Sequence, residues 1–162
     1  MVNINSNVIT YTGDVRIKIF KKGEYFKTIY NHNAGTIHFL KFLRDCVIGK
    51  SDIYSRLPFN IMPMSGTTPL LPTAFSGYAT SEDNETPSAK VVYTFLISGI
   101  NYPASQPITG FKLYSSENEE YANMDLQTDT SITLDSNTNL YVEWTLIFNK
   151  GIDPTEENNG GN

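Results

Sequence analysis

Few side chains in this sequence have the types and spacing for chemistry: two histidines, one cysteine, two short acidic runs and ten tyrosines. His32 and His38 invite a metal, but residues six apart lie on different sides of a helix, and His32 precedes the helix that would carry His38. No carboxylate or cysteine stands at a fixed short offset from either, so the pattern predicts no metal site. Cys46 falls on the apolar face of that helix. It reads as an inert core thiol and leaves no disulfide framework to build. There is no Gly-x-Ser-x-Gly elbow and no glycine loop to cradle a phosphate, so neither a catalytic nor a cofactor-binding residue is predicted. The runs Glu82 to Glu85 and Glu117 to Glu120 lack the regular acid spacing and central glycine of a calcium loop, and read as solvated loop tips.

The remaining chemistry is that of contact. Tyr54, Tyr78, Tyr102 and Tyr121 fall in or beside turns, where a ring can stack on a sugar or on a partner protein. Leu57, Phe59, Ile61, Met62, Met64, Leu70 and Leu71 form an apolar, proline-interrupted stretch that suits an edge strand and a surface between subunits.

Positioning these residues requires a sheet and one helix. Over 34–48, a 100° period gathers Phe39, Leu40, Phe42, Leu43, Cys46 and Val47 into one apolar arc, while His38, Lys41, Arg44 and Asp45 point away. Asn33 or Thr36 can cap its start, and Gly49 can close its end in the left-handed conformation. Elsewhere the period is two. Val15, Ile17 and Ile19 alternate with Arg16 and Lys18, a turn follows at Lys21 to Glu24, and a return strand runs to Tyr30. Lys90 to Ile100 is a nearly continuous apolar run, predicting burial on both faces. In the last strand, 139–149, Leu140, Val142, Trp144, Leu146 and Phe148 lie on one side and Tyr141, Glu143, Thr145 and Ile147 on the other. Counting such segments predicts a mainly β fold, an antiparallel β-sandwich or jelly-roll-like domain of about seven to nine strands with one packed α-helix. Exposed strand edges would then be free to pair with neighbouring subunits.

The chain has 162 residues, of which 40% are hydrophobic and 12% aromatic, enough for one core. We expect an N-terminal arm over 1–13, a single domain over 14–150 and a flexible tail over 151–162 that has little to bury. The formal charge is −5 with Lys and Arg scattered, which argues against a nucleic-acid partner. No stretch approaches the apolar length of a membrane span, and no membrane insertion is expected.

Two blocks of the sequence resemble a known class. The hairpin leading into Asn31-His-Asn-Ala-Gly-Thr-Ile-His-Phe-Leu-Lys-Phe-Leu-Arg-Asp-Cys-Val-Ile-Gly49, and the ending Asn139-Leu-Tyr-Val-Glu-Trp-Thr-Leu-Ile-Phe-Asn149, are similar to small structural proteins of tailed bacteriophage virions. The resemblance implies a non-enzymatic virion component assembled in the host bacterial cytoplasm, a capsid-attached head fibre or auxiliary protein. Its partners would be further copies of itself and other virion proteins. The alternatives are a tail or collar subunit, or a carbohydrate- or receptor-binding module for host attachment with a host surface glycan as partner.

Overall fold

The computed structural model describes residues 10–49, 51–52, 56–83, 88–128, 130 and 132–149. In chain order the elements are β1 (Thr10–Lys21), β2 (Glu24–Gly35), α1 (Ile37–Val47), β3 (Pro58–Ser65), β4 (Thr68–Pro69) and β5 (Thr73–Asp83). They continue with β6 (Ser88–Ile97), β7 (Gln106–Ile108), β8 (Gly110–Ser115), β9 (Glu120–Asp125), β10 (Ile132–Leu134) and β11 (Thr138–Asn149).

The β1–β2 hairpin forms where its turn chemistry demands. Lys21 faces Glu24 across Lys22 and Gly23, whose φ angles of 50° and 82° are those of a type I′ turn. Inside the hairpin, Gly13 does not turn the chain. It sits within β1 opposite Asn33, and a Cβ there would lie 1.6 Å from the Asn33 Oδ1. Glycine is required for close approach at this point.

From this hairpin the sheet spreads in both directions and meets itself. β11 pairs with β1 along its whole length, β6 with β11, and β5 with β6. On the other side β2 pairs with β9, β9 with β8, β8 with β3, and β3 with β5. Every pairing is antiparallel, and the eight strands close into a barrel. β4 adds a short pairing to β3, and β7 with β10 makes a separate two-stranded ladder. The expected mainly β fold with one helix is present, but its strands form one closed ring in place of the two separate sheets of a sandwich. Two seams are only two residue pairs long: Ala34 and Gly35 against Asn123 and Ala122, and Asn60 and Ile61 against Ala74 and Thr73. Pro58 and Pro63 leave β3 without two ladder donors. Even so β3 is no edge strand, since β8 pairs with it from Pro58 to Met64.

Alternation fills the barrel as anticipated. Val15, Ile17 and Ile19 of β1 and Leu140, Val142, Trp144 and Leu146 of β11 are buried together with Phe95, Phe111 and Leu113. β6 departs from its expected two-sided burial. Phe95 and Ile97 point inward, whereas Leu96 is 56% exposed on the outer surface, because α1 packs against β9 and leaves this wall bare. β1 already begins at Thr10, so residues 10–13 of the expected arm belong to the barrel. Residues 1–9 and the tail 151–162 lie outside the described residues.

α1 is shorter than expected and is turned about its axis. Phe39 and Phe42 pack on Tyr121 of β9, with ring centroids 5.5 and 5.4 Å away. The surprise is Asp45, predicted to face solvent but only 1% exposed, while Leu40 and Val47, predicted to face the core, are exposed. Thr36 stands at the N-cap, yet its hydroxyl donates to the Glu120 carbonyl rather than accepting from the helix. Its N–H bonds the Tyr121 carbonyl at 2.9 Å. Gly49 takes the left-handed φ of 68°, as predicted.

Candidate functional site

The outer face of the β2–β1–β11–β6 wall carries a cleft of about 510 Å³. Strand register builds it in rows, because residues directly opposite on one face are neighbours. His32, Asp14, Thr145 and Val92 form one row, and Tyr30, Arg16 and Glu143 the next. Asn31 and Gln127 complete the rim. Asn31 Nδ2 donates to the Asp125 carbonyl at 2.6 Å, holding the end of β9 beside the cleft.

Charges in this cleft are paired within the wall. His32 Nδ1 lies 2.6 Å from Asp14 Oδ1, with the side chains 90% and 50% exposed. Nδ1 is thereby engaged, and Nε2 is the nitrogen left for a ligand. Arg16 binds the Glu143 carboxylate through Nε and Nη2. The bond to Glu143 pushes the Arg16 guanidinium further above its usual range, against the opposing effect of burial and with the Tyr30 hydroxyl adding to it. Tyr30 is 73% exposed. One row further along, Lys18 Nζ sits 5.3 Å from the centroid of the Tyr141 ring. Beyond it a second cleft of about 490 Å³ is lined by Phe20, Leu96, Leu140 and Tyr141.

A second polar cluster lies beneath α1. Asp45 accepts from Arg56 Nη1 at 2.7 Å and from Arg44 Nε and Nη2 at 2.8 and 2.6 Å. Glu119 Oε2 stands 3.5 Å from Arg56 Nε, and His38 Nδ1 is 3.6 Å from Glu119 Oε1. Tyr121 donates to the Arg56 carbonyl. The bond to Asp45 raises the Arg56 guanidinium above its normal range against the cost of desolvation, with Glu119 helping. Burial of the Tyr121 hydroxyl pushes it up to about 12. The run Glu117 to Glu120 is therefore not a free loop tip, since Glu119 faces this cluster and Glu120 pairs with Lys112 at 2.7 Å.

The structure separates the tyrosines grouped by sequence. Tyr78 is exposed, whereas Tyr102 and Tyr121 are buried and offer no ring face to a partner. Tyr102 donates to the Leu71 carbonyl at 3.1 Å. Tyr54 lies outside the described residues. Of the expected interface, Leu57, Phe59 and Leu71 are exposed, Met62, Met64 and Leu70 are half-buried, and Ile61 is completely enclosed in the core. Phe59 stands edge-on to Phe75 at 5.6 Å, at the head of an aromatic run through Tyr93 to Tyr78. Burial pushes the Cys46 thiol up, consistent with an inert side chain.

Sequence reasoning overlooked Tyr30, Arg16, Asp14 and Glu143 as a group. The outward parity of Arg16 and Glu143 on alternating strands was visible, but the register that makes them neighbours was not. Likewise His38 and Asp45 lie seven residues apart, on one line of the helix, and that polar line marks its buried flank. Among the described residues, no group of three or more His, Cys, Asp or Glu side chains could hold a metal, and no helix is long and apolar enough to cross a membrane. Comparison with family models, curated proteins and solved structures gives no match.

Proposed function

We propose that the chain is a non-enzymatic structural component of a bacteriophage virion, a capsid-attached head-fibre or auxiliary protein acting by self-association and by docking on other virion proteins. One observation supports this reading above the others: the outward side of α1 exposes several large apolar side chains. Ile37, Leu40 and Val47, with Ile48 at the C-cap, are all exposed, Val47 at 84%, and at 100° per residue they fall within an arc of about 100° that they share with the exposed Arg44. Apolar side chains left exposed on a helix whose other face already packs on the barrel suit a contact with a second surface, and Arg44 among them offers that surface a charged partner. Closure of the barrel gives each of its eight strands a partner on both sides, but at the two short seams β2 and β5 are paired over only two residues on one side. We also read the barrel as flattened, with its two short seams as the corners between walls that correspond to the sheets of a sandwich.

Light scattering behind a sizing column, over a range of concentrations, tests the reading. A fixed oligomer is expected, and Leu40→Glu with Val47→Glu should convert it to a folded monomer. A wild-type chain that stays monomeric at every concentration would remove self-association from the proposal.

A further inference from the structure

We infer that the outer-wall cleft is a binding site for a neutral carbohydrate, independently of any role for the chain in a virion. The argument starts from charge. Two carboxylates, Asp14 and Glu143, and two basic groups, Arg16 and His32, are partnered with one another across the strands. An anionic ligand would have to approach both carboxylates, and a cationic one the Arg16 guanidinium. A neutral polyol meets neither penalty, because each hydroxyl can donate to a carboxylate oxygen and accept from a guanidinium or imidazole N–H without breaking the pairs.

Shape and composition point the same way. The cleft, at about 510 Å³, is within the size range of small-ligand sites. Its polar groups are planar and fixed: a carboxylate held by an imidazole, a carboxylate held by a guanidinium, and an Asn31 amide anchored on the Asp125 carbonyl. Groups locked by their own partners lose little rotamer freedom when a ligand arrives, which matters for a weakly hydrophobic ligand such as a sugar. Tyr30 supplies the remaining element, an exposed ring able to cover the C–H face of a pyranose, while its hydroxyl is held near Arg16. The second cleft, with Leu96 and Tyr141 on the same wall, gives a longer oligosaccharide further surface along β11.

The test uses the full chain on an array of neutral hexose and N-acetylhexosamine oligosaccharides printed beside uronate- and sialate-bearing ones. Titration by NMR of the best binder then follows. Binding to neutral members is expected, with amide shifts centred on Asp14, Arg16, Tyr30 and Glu143. Tyr30→Ala should weaken it about tenfold, and Asp14→Asn by a similar factor. Tyr78→Ala, an exposed tyrosine outside the cleft, should leave it unchanged. Tyr30 is exposed and the Asp14 side chain half-exposed, so neither change enters the core, and an unchanged far-UV spectrum and elution volume verify that each variant folds. Binding confined to acidic glycans, no binding to any neutral member, or neutral binding that survives both cleft substitutions would each overturn the proposal. The oligomer test of the α1 face is read independently, so failure of one leaves the other standing.

Discussion

The molecule uses the same ion-pair chemistry in two places, and the surroundings give it opposite meanings. Beneath α1, Asp45 is 1% exposed and Arg56 11%, so each charge has traded water for its partner. On the outer wall, His32 keeps most of its hydration and Asp14 half, Arg16 is 38% exposed, and only Glu143, at 16%, approaches the enclosure of Arg56. In the first setting removal of one partner strands a charge in a poor solvent. In the second, water replaces whatever is removed. The buried cluster therefore fixes how the helix sits, while the wall pairs cost the fold little and remain available to a ligand.

The sharpest way to break this contrast is Arg56→Met. It takes the buried guanidinium away from Asp45, and loss of one partner from a buried pair costs about 3–5 kcal/mol. We expect the lower end, because Arg44 still donates from the exposed side. Replacing both, Asp45→Leu with Arg56→Met, should recover much of the loss, since an apolar pair needs no compensation. Urea unfolding measures both variants. A cost below about 1 kcal/mol for the single change would show that the cluster behaves as a surface pair.

Tyr121 extends the contrast to pH. Its hydroxyl, raised to about 12 by burial and by Glu119 against the opposing charge of Arg56, stays protonated in the fold beyond the point where an unfolded tyrosine ionises, near 10. A raised folded pKa stabilises below the unfolded value, so this contribution is whole below pH 10 and is lost as pH rises through 12. Urea midpoints of wild type should fall between pH 10 and 12, and Tyr121→Phe should flatten that decline. Equal slopes for the two proteins would assign the alkaline loss elsewhere.

How much of this was legible in the sequence depends on whether a local rule or a distant partner decides. The type I′ turn, the alternation in β1 and β11 and the existence of α1 follow from neighbours in sequence, and all are present. Which face of α1 is buried does not, because Leu40 and Val47 are as apolar as Phe39 and Phe42. Tyr121 and Arg56 choose between them, and Tyr121 lies far from the helix in the chain. Barrel closure was hidden for a similar reason. It rests on two seams of two residue pairs, too short to leave a pattern. The cleft joins Arg16 to Glu143, 127 residues apart. Each was readable as outward-facing, and only the register made them partners.

On the acid side, the Lys112–Glu120 pair occupies an intermediate position, with its side chains 31% and 27% exposed. Burial acts to raise the Glu120 carboxyl, but the bonds from Lys112 and Asn123 together with the Lys112 charge outweigh it and hold it below its ordinary value. A depressed folded pKa stabilises above the unfolded value, near 4.5, and that share disappears as pH falls through the folded one. The effect should stay within about 1 kcal/mol, the range of partly exposed pairs. Glu120→Gln should therefore lower the urea midpoint slightly at pH 6 and converge with wild type near pH 3. Variant and wild type that differ equally at both pH values would point to lost packing instead.

The smallest effect is expected on the wall itself, and it carries the most information about function. Arg16→Met removes a cross-strand ion pair whose guanidinium is 38% exposed and whose carboxylate, Glu143, is 16% exposed but borders the open cleft, so stability should change by no more than about 1 kcal/mol. Met keeps the apolar stem that lies along the sheet, which separates loss of charge from loss of packing. A larger cost would mean that the wall pairs hold the barrel together as the cluster under α1 does, and the contrast between the two regions would collapse. A small cost has a different consequence. It would leave an arrangement of charges, amide and ring that the fold can do without, and such an arrangement is then accounted for by what it contacts rather than by what it supports.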